Sequence, residues 1–324
     1  MLSIPLYYKG KIMLFEEHLK GFKNSLKLRN YSERTIESYF ANATQFAAFM
    51  GKYYSRITSV SKITKDILLD YQNYLINYRN RTDNPLAGKT QNLKLISVRK
   101  FFQYLFKKDL ILKDISDVFT FAREEQKITR NILNEKQTLD LLKNIKLNSP
   151  ISIRNKAIAE TFYSSGIRTS ELCNLKLHDI DLNNQVITIV KGKGNKSRIV
   201  PLTMYAVEYI KLYMEKARKF MLKGKKIDPG YLFLSSRGNR FDKNTINKTV
   251  MKSIRKSQNL EKHISCYSFR HMCCTHLLAN GVDISHIAQL AGHKSLTTTQ
   301  KYTRIEISDL KKVHSLCHPR EVKR

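Results

Sequence analysis

The first third of the chain carries apolar residues at helical spacing, with polar and basic residues between them. Ser32 and Thr64 each stand directly before such a pattern, where a helix N-cap is expected. A third apolar face follows a loop over residues 80–89 and runs from about Thr90 to Lys107. The inward positions are Ile36, Tyr39, Ala43, Phe46 and Met50 in the first helix and Ile67, Leu68, Tyr71, Leu75 and Tyr78 in the second. The pattern predicts a compact N-terminal domain of four or five helices over residues 11–121.

A change of pattern marks a second domain. Residues 122–131 are polar and have no apolar period, which predicts an interdomain linker. Asn134 with Gln137 three residues later resembles a helix capping box, and two helices are expected between it and Ser165. Two β-branched runs around a glycine turn at 192–195 predict a hairpin. The elements expected here are strands at Val186–Val190 and Ser197–Val200, a helix from Thr203 through Met221 ended by Gly224, a short strand at Leu232–Leu234 and a basic helix from Lys243 to Ser257.

Short helices are predicted again from residue 267 onward. Phe269, Cys273 and Leu277 recur at four-residue spacing and form a core face. We expect Arg270 to begin this helix and Gly281 to end it.

Two further short helices follow in the pattern. Asp283 can cap the first of them, and Gly292 ends it so that His293 emerges from a turn. Ser295 can cap the second, which carries Tyr302. The inward positions of the first are Ile284, Ile287 and Ala288. The fold class expected is mainly α with a small antiparallel sheet, and the second domain covers residues 132–304.

A last amphipathic helix is predicted in the tail, residues 305–324. Leu310, Val313 and Cys317 share one face of a helix over Ser308–Leu316. This face needs a surface that buries it, either on its own domain or on a neighbouring copy of the chain.

The charge balance is strongly basic. The chain of 324 residues has 58 Lys and Arg against 27 Asp and Glu, a net charge of +31 and a pI near 9.9. Such a balance favours a polyanionic partner through counterion release, and nucleic acid is the first candidate. A lysine-rich composition from A/T-rich coding and an acidic membrane surface are the alternatives.

Targeting signals and cysteine usage favour the cytoplasm. The first fifteen residues have no signal-peptide cleavage site, and no apolar run is long enough to span a bilayer, so no membrane partner is expected. The five cysteines are odd in number, and three of them fall within nine residues, which does not predict a secreted disulfide framework.

Two arginines stand where they could bind phosphate. A tyrosine that attacks a phosphate needs cations around the non-bridging oxygens, where negative charge gathers in the transition state. Arginine suits this task because its planar fork grips two oxygens and stays charged. Arg270 lies in the block from Tyr267 to His271. Arg168 follows a glycine helix stop and begins a new helix.

Four blocks in this order resemble the tyrosine recombinases, particularly the bacterial Xer-like branch. They are Ser165–Leu172, Gly192–Arg198, Arg270-His271 with Thr275–Leu278, and Gly292-His293 followed nine residues later by Tyr302. The resemblance extends through the N-terminal helical part. It implies a helical SAM-like core-binding domain and a recombinase catalytic domain that close around DNA as a C-shaped clamp.

The resemblance also implies the roles of single residues. Arg168, Lys193, Arg270 and His293 would surround the scissile phosphate, with Tyr302 as the nucleophile. Tyr302 would form a 3′-phosphotyrosyl link while Lys193 protonates the departing 5′ oxygen, without a metal or other cofactor. Double-stranded DNA is the implied partner. The implied assembly is a homo-tetramer on two DNA sites, with a related recombinase as an alternative companion. The resemblance also implies that the tail helix docks on the neighbouring protomer, and packing on its own domain is the plainer alternative.

Tyr267 departs from the family pattern, which usually has histidine here. Its phenol can donate a hydrogen bond to a phosphate oxygen but is a poor general base near neutrality, because a tyrosine pKa is about 10. We therefore assign Tyr267 a donor role. The alternative is a space-filling role, with His271 or His293 handling the proton.

Each of these residues has a plainer interpretation. Arg168 can pair with Glu171 on the same helix face, and Lys193 can be a solvated turn lysine. His293 can bond a helix C-terminal carbonyl, and Tyr302 can be a packing residue. A zinc site in the string from His271 to His276 is rejected, since its two histidines are five residues apart on one helix.

Two other functions share parts of this pattern. A type IB topoisomerase-like enzyme would use the same chemistry to relax supercoils, and an inactive DNA-binding regulator would keep only the basic surface. Strand joining between two duplexes distinguishes the first from a recombinase, and a covalent protein–DNA adduct distinguishes the second.

Overall fold

The computed structural model describes residues 9–80, 82–123, 133–190, 197–257, 264–292 and 314–321, with side chains from residue 15 onward except that of residue 257. The chain forms two compact units, residues 1–127 and 128–324. Helices dominate both units, and the small sheet belongs to the second. Within these described ranges, no helix combines the length and apolarity needed to cross a membrane.

The first unit has four α-helices in its described part: α1 (Lys9–Leu28), α2 (Glu33–Tyr53), α3 (Lys65–Asn77) and α4 (Gly88–Lys107). The predicted caps hold in part. Ser32 caps α2 by accepting a bond from the Thr35 amide at 3.2 Å. Thr64 stands at the N-cap of α3 without a side-chain cap bond. Helix α1 was not predicted from the sequence, although Phe15, Leu19, Phe22 and Leu26 are buried along one face of it.

The second unit begins with the predicted capping box. The Gln137 amide donates to Asn134 Oδ1 at 2.8 Å, and the Asn134 amide donates to Gln137 Oε1 at 3.1 Å. The helices that follow are α5 (Glu135–Lys143), α6 (Pro150–Ser165) and α7 (Thr169–Asn174). The two helices expected before Ser165 are therefore confirmed.

The sheet has three antiparallel strands in the order β1 (Ile180–Asp181), β2 (Val186–Ile189) and β3 (Arg198–Pro201). Ile187 pairs with Val200, and both are fully buried. The predicted hairpin is confirmed in its strands. The predicted strand at Leu232–Leu234 is wrong, because this segment makes isolated bridges at its two ends, Tyr231 with Lys176 and Leu234 with Arg240, and no ladder.

Helical segments with π-helical turns follow the sheet. Thr203 caps the first of them as predicted, accepting a bond from the Ala206 amide at 3.2 Å. Both segments lie where the pattern placed them. They are α8 (Met204–Leu212), a π turn (Tyr213–Arg218) and α9 (Lys219–Met221), then α10 (Lys243–Ile246), a π turn (Asn247–Met251) and α11 (Lys252–Ser257).

The last helices are α12 (Cys266–Ala279) and α13 (Ile284–Ala291). The expectation that Arg270 begins α12 is wrong, because Ser265 caps the helix by accepting a bond from the Ser268 amide and Arg270 lies in its second turn. The face of Phe269, Cys273 and Leu277 is buried as predicted.

Asp283 caps α13 by accepting a bond from the Ser285 amide at 2.7 Å, and Gly292 ends it with a positive φ of 62°. The expected inward position of Ile284 is wrong. This residue is 57% exposed because it sits at the first turn on the surface, while Ile287 and Leu290 are buried.

The tail segment, residues 314–321, packs on its own unit against the end of α6. His314 and His318 are buried, and their Nε2 atoms bond the carbonyls of Ser164 at 2.7 Å and Tyr163 at 3.0 Å. Arg320 forms an ion pair with the buried carboxylate of Glu160. Of the two surfaces considered for the tail, the structure therefore occupies the one on its own domain. Leu310 and Val313 lie outside the described residues.

Candidate active site

Arg168 is positioned by a helix stop and a helix start. Gly166 ends α6 in the left-handed conformation with φ of 57°, which a residue with a side chain adopts only with strain. Arg168 then stands at the N-cap of α7. At this sharp turn the Arg168 side chain is 36% exposed.

Arg270 reaches the same place from α12. It is 7% exposed and donates from Nη1 to the Gly166 carbonyl at 2.5 Å and from Nη2 to the Ala291 carbonyl at 2.8 Å. Burial, and then the nearby charge of Arg168, lower the pKa of Arg270. The structure thus brings together the two arginines that the sequence suggested as a pair, over a separation of about a hundred residues.

Glu171 is the carboxylate that holds Arg168. It accepts from the Arg168 amide at 2.8 Å and from Arg168 Nη1 at 2.9 Å. The plainer interpretation of Arg168, an ion pair with Glu171, is therefore correct as a contact. Burial alone would raise the pKa of Glu171, but hydrogen bonds from Arg198 and Arg168 lower it to about 2.

Three arginines meet at the C-terminal end of α13. The last carbonyls of a helix lack partners within the helix and carry partial negative charge. Here Arg198 Nε donates to the Leu290 carbonyl at 3.0 Å, and Arg270 donates to that of Ala291. Arg168 Nη2 donates to the Gly292 carbonyl at 2.5 Å. The residue that follows in sequence is His293.

The charge in this group suits an anionic ligand. Within the described group of Arg168, Arg198, Arg270 and Glu171, three positive charges face one negative charge. Several of the arginine bonds go to neutral carbonyls, which fix the guanidiniums without neutralising them. A partly exposed site with such an excess can bind the non-bridging oxygens of a phosphate and stabilise added charge there.

Tyr267 lies on the surface of α12 and is 66% exposed. Its ring meets that of His271 edge to face at a centroid distance of 6.1 Å, and His271 Nδ1 bonds Thr275 Oγ1 at 2.9 Å. Tyr267 and Arg270 lie on the same helix, but Tyr267 is exposed and Arg270 is buried. The donor role assigned to Tyr267 stays a prediction.

The other three predicted site residues are outside the described part of the chain. Lys193 belongs to the segment that joins β2 to β3, and His293 and Tyr302 belong to residues 293–313. Their predicted roles stay predictions.

His276 and Cys273 of α12 are buried packing residues. His276 bonds the Tyr163 hydroxyl through Nδ1 at 3.0 Å and the Leu133 carbonyl through Nε2 at 3.1 Å. All five cysteines are free thiols. In the part of the chain that the structure covers, no group of three or more His, Cys, Asp or Glu side chains is placed to hold a metal ion.

The sequence assigned no catalytic or positioning role to Arg198 or Gly292. Arg198 is part of one block that resembles the tyrosine recombinases, and Gly292 is a helix stop and part of another such block. A signal was present for Arg198, since it is a charged residue that opens a strand whose next three residues are Ile199, Val200 and Pro201. Its partners, Glu171 and Leu290, are too distant in sequence to be paired by spacing.

Comparison with known proteins places the chain in a family. Residues 131–308, more than half of the chain, match the Phage integrase family, and residues 19–112 match the Phage integrase, N-terminal SAM-like domain. The tyrosine recombinase XerC of Halalkalibacterium halodurans is 32% identical over 94% of this chain and 98% of its own length. That of Bacillus pumilus is 31% identical over 97% of each chain.

Solved structures share the fold. XerH site-specific recombinase bound to difH substrate superposes with a TM-score of 0.63 and 19% identity over 92% of this chain and 81% of that one. A lambda integrase dimer bound to a COC′ core site gives 0.62 with 16% identity, over 90% of this chain and 98% of that one. The expected fold, a SAM-like helical domain followed by a mainly α catalytic domain with a small sheet, is thereby confirmed. This chain belongs to the phage integrase family of tyrosine recombinases and, within it, to the Xer-like branch.

Proposed function

We propose that this chain is a site-specific DNA recombinase that cleaves and rejoins strands through a 3′-phosphotyrosyl link on Tyr302. The observation that carries the proposal is the pair Arg168 and Arg270, held by carbonyls of Gly166, Ala291 and Gly292. Two fixed guanidiniums with excess positive charge match the two non-bridging oxygens of a phosphodiester.

The chemistry follows from the charge that develops during attack. The Tyr302 hydroxyl gives its proton to solvent, and its oxygen bonds to phosphorus as the bond to the 5′ oxygen breaks. Arg168 and Arg270 stabilise the charge on the equatorial oxygens. Lys193 gives the departing 5′ oxygen its proton, and His293 and Tyr267 donate to the phosphate. A 5′ hydroxyl from another strand then reverses the step and releases Tyr302.

Double-stranded DNA is the proposed substrate, and a homo-tetramer on two sites is the proposed assembly. The net charge of +31 supports a polyanionic partner. Structures of the fold include a lambda integrase tetramer bound to a Holliday junction.

We place the protein in the cytoplasm, which agrees with five free thiols. In the tetramer, the tail, residues 305–324, would dock on a neighbouring protomer, and its described part, residues 314–321, would then leave the end of α6.

The function can be tested in two steps. The protein first selects its binding site from a pool of random DNA, and two duplexes that carry this site then serve as substrates for strand exchange. The wild type should exchange strands between them, and Tyr302→Phe should bind the site with unchanged affinity and exchange nothing. Relaxation of a supercoiled plasmid without strand exchange would point to a topoisomerase instead. Binding without any cleavage would point to a regulator.

Deletion from Asp309 onward tests the assembly. It removes the tail segment, so synapsis and recombination should fall more than binding to a single site. Recombination at the wild-type level after this deletion would rule out docking of the tail on a neighbour.

A further inference from the structure

Arg198 opens β3 and is committed to protein acceptors at each of its three nitrogen atoms. Nη1 and Nη2 donate to the two oxygens of Glu171 at 2.9 and 2.8 Å, and Nε donates to the Leu290 carbonyl at 3.0 Å. Its side chain is 10% exposed. A guanidinium in this state is a fixed structural charge, since a planar fork that grips both carboxylate oxygens fixes their orientation.

The carboxylate that Arg198 grips is the one that holds Arg168. Glu171 accepts two bonds from Arg198 and two from Arg168, one of them from the Arg168 amide. With Arg198 in place, the single negative charge of Glu171 is shared between two arginines. Arg168 is then only partly neutralised and can still bind a phosphate. Without Arg198, Glu171 would be free to turn and to neutralise Arg168 more completely.

Arg198 also holds the helix end on which the other arginines converge. The carbonyls of Leu290, Ala291 and Gly292 are bonded in turn by Arg198, Arg270 and Arg168. A Cβ atom on Gly292 would come within 2.9 Å of the Arg198 guanidinium, so the two groups are in close contact. A shift of Arg198 would therefore move the acceptors of both Arg168 and Arg270.

We propose that Arg198 is a positioning residue of strand cleavage, which acts through Glu171 and the end of α13 to hold Arg168 and Arg270 in register with the scissile phosphate. The proposal rests on the proposed function. Its physical basis is preorganisation: donors that are already aligned lower the barrier, and a misplacement of about 1 Å can cost about a hundredfold in rate.

Arg218 supplies a matched control in the same unit. Its side chain is 8% exposed, it is bidentate to Asp228 at 2.6 and 2.8 Å, and it donates to the Tyr231 carbonyl at 2.7 Å. It therefore has the same chemistry and burial as Arg198, but its partners are none of the residues of the candidate site. A loss that comes only from removing a buried arginine should appear equally in Arg218→Met and Arg198→Met.

The measurement is single-turnover cleavage of a nicked suicide substrate at saturating protein, with the binding constant and melting temperature of each variant. Arg198→Met should bind the site within about threefold of wild type and cleave about a hundredfold more slowly. Arg218→Met should cleave at close to the wild-type rate in bound complex. Arg198→Lys, which keeps the charge but not the fork, takes the place of Arg198→Met if the latter melts below the assay temperature.

A double-mutant cycle tests the route through Glu171. If Arg198 acts through this carboxylate, Arg198→Met with Glu171→Gln should cleave about as slowly as the slower single variant, because coupled residues are not additive. Fully multiplicative losses, a rate for Arg198→Met within about threefold of wild type, or equal losses in Arg198→Met and Arg218→Met would each overturn the proposal. The wild-type reaction in the same series is the separate check on the function, since absence of its adduct would contradict strand cleavage itself.

Discussion

Tyr267 stands three residues before Arg270, at the position where the family resemblance leads us to expect histidine. Its exposure of 66% leaves the phenol accessible to a DNA backbone that approaches α12. A hydroxyl can replace an imidazole as a donor to a phosphate oxygen, and loss of one donor from a preorganised anion site costs about a hundredfold or more in rate.

Tyr267→Phe should therefore slow single-turnover cleavage by about a hundredfold with little change in DNA affinity. Tyr267→His should retain or restore activity, because imidazole supplies an equivalent donor. A Tyr267→Phe rate within about twofold of wild type would leave only the space-filling role.

Gly292 combines a left-handed backbone with a close neighbour. Its φ is 62°, and an added Cβ would lie 2.9 Å from Arg198. Gly281 has a φ of 85°, and among the described atoms none lies within 4 Å of its added Cβ. Alanine at either position costs about 1 kcal/mol for the backbone, but only alanine at position 292 also displaces an arginine.

We expect Gly292→Ala to cleave at least about tenfold more slowly than Gly281→Ala when both are folded and bound to DNA. Cleavage and melting temperature, measured together on both variants, separate the backbone cost from the displacement. Equal rates would mean that Arg198 can move without consequence.

At the scale of elements, the tail segment joins the end of α6 through two buried histidines. Burial lowers the pKa of His314 to about 4, although its bond to Ser164 opposes this. Burial, the charge of His314 and then those of Arg320 and His276 hold the pKa of His318 well below its ordinary value. Both groups therefore dock as neutral imidazoles, and the ring centroids of His318 and Tyr163 are 5.0 Å apart.

The stability from this docking should depend on pH. A histidine whose pKa is lower in the folded state than in the unfolded state favours folding as the neutral form. This contribution is complete above the pKa of the unfolded state, about 6.5, and is lost as the pH falls toward the pKa of the folded state. His314 alone should lose on the order of 1 kcal/mol of folding stability between pH 8 and pH 5.5.

The matched variant is His314→Gln with His318→Gln, whose amides can still donate to the same carbonyls without titrating. The melting temperature should fall less between pH 8 and pH 5.5 in this variant than in the wild type. The same fall in both proteins would exclude the two histidines as its cause.

Elements set by neighbours in sequence were predictable, and those set by distant partners were not. Asn134 and Gln137 satisfy each other within one helical turn, so their spacing is sufficient. The segment Leu232–Leu234 has the composition of a strand. The Leu232 amide donates to the Leu175 carbonyl, but the pairing is an isolated bridge and does not continue as a ladder. No local pattern reports whether a neighbouring strand continues.

The same distinction applies to the candidate site. Arg168 and Arg270 were found because a helix stop and a family motif mark them. Their shared geometry depends on carbonyls of α6 and α13, and on Arg198 and Glu171, which only tertiary packing brings together.

At the scale of the whole molecule, the net charge of +31 predicts that DNA binding depends strongly on salt. A protein that contacts six to ten phosphates loses about 10³ to 10⁵ in affinity between 50 and 200 mM salt. Site affinity should fall at least about a hundredfold over this range, while the cleavage rate of the bound complex changes little. A fall of less than about threefold would contradict a binding surface dominated by phosphate contacts.

The most direct test of the central claim is to identify the residue that carries DNA. The wild type is trapped on a nicked suicide substrate, treated with nuclease and cut after lysine, which places Tyr302 in the peptide Tyr302–Lys311 and Tyr267 in the peptide His263–Lys294. The account predicts a nucleotide joined through its 3′ phosphate to Tyr302. A nucleotide on any other residue, or no adduct on a site that the protein binds tightly, would contradict it.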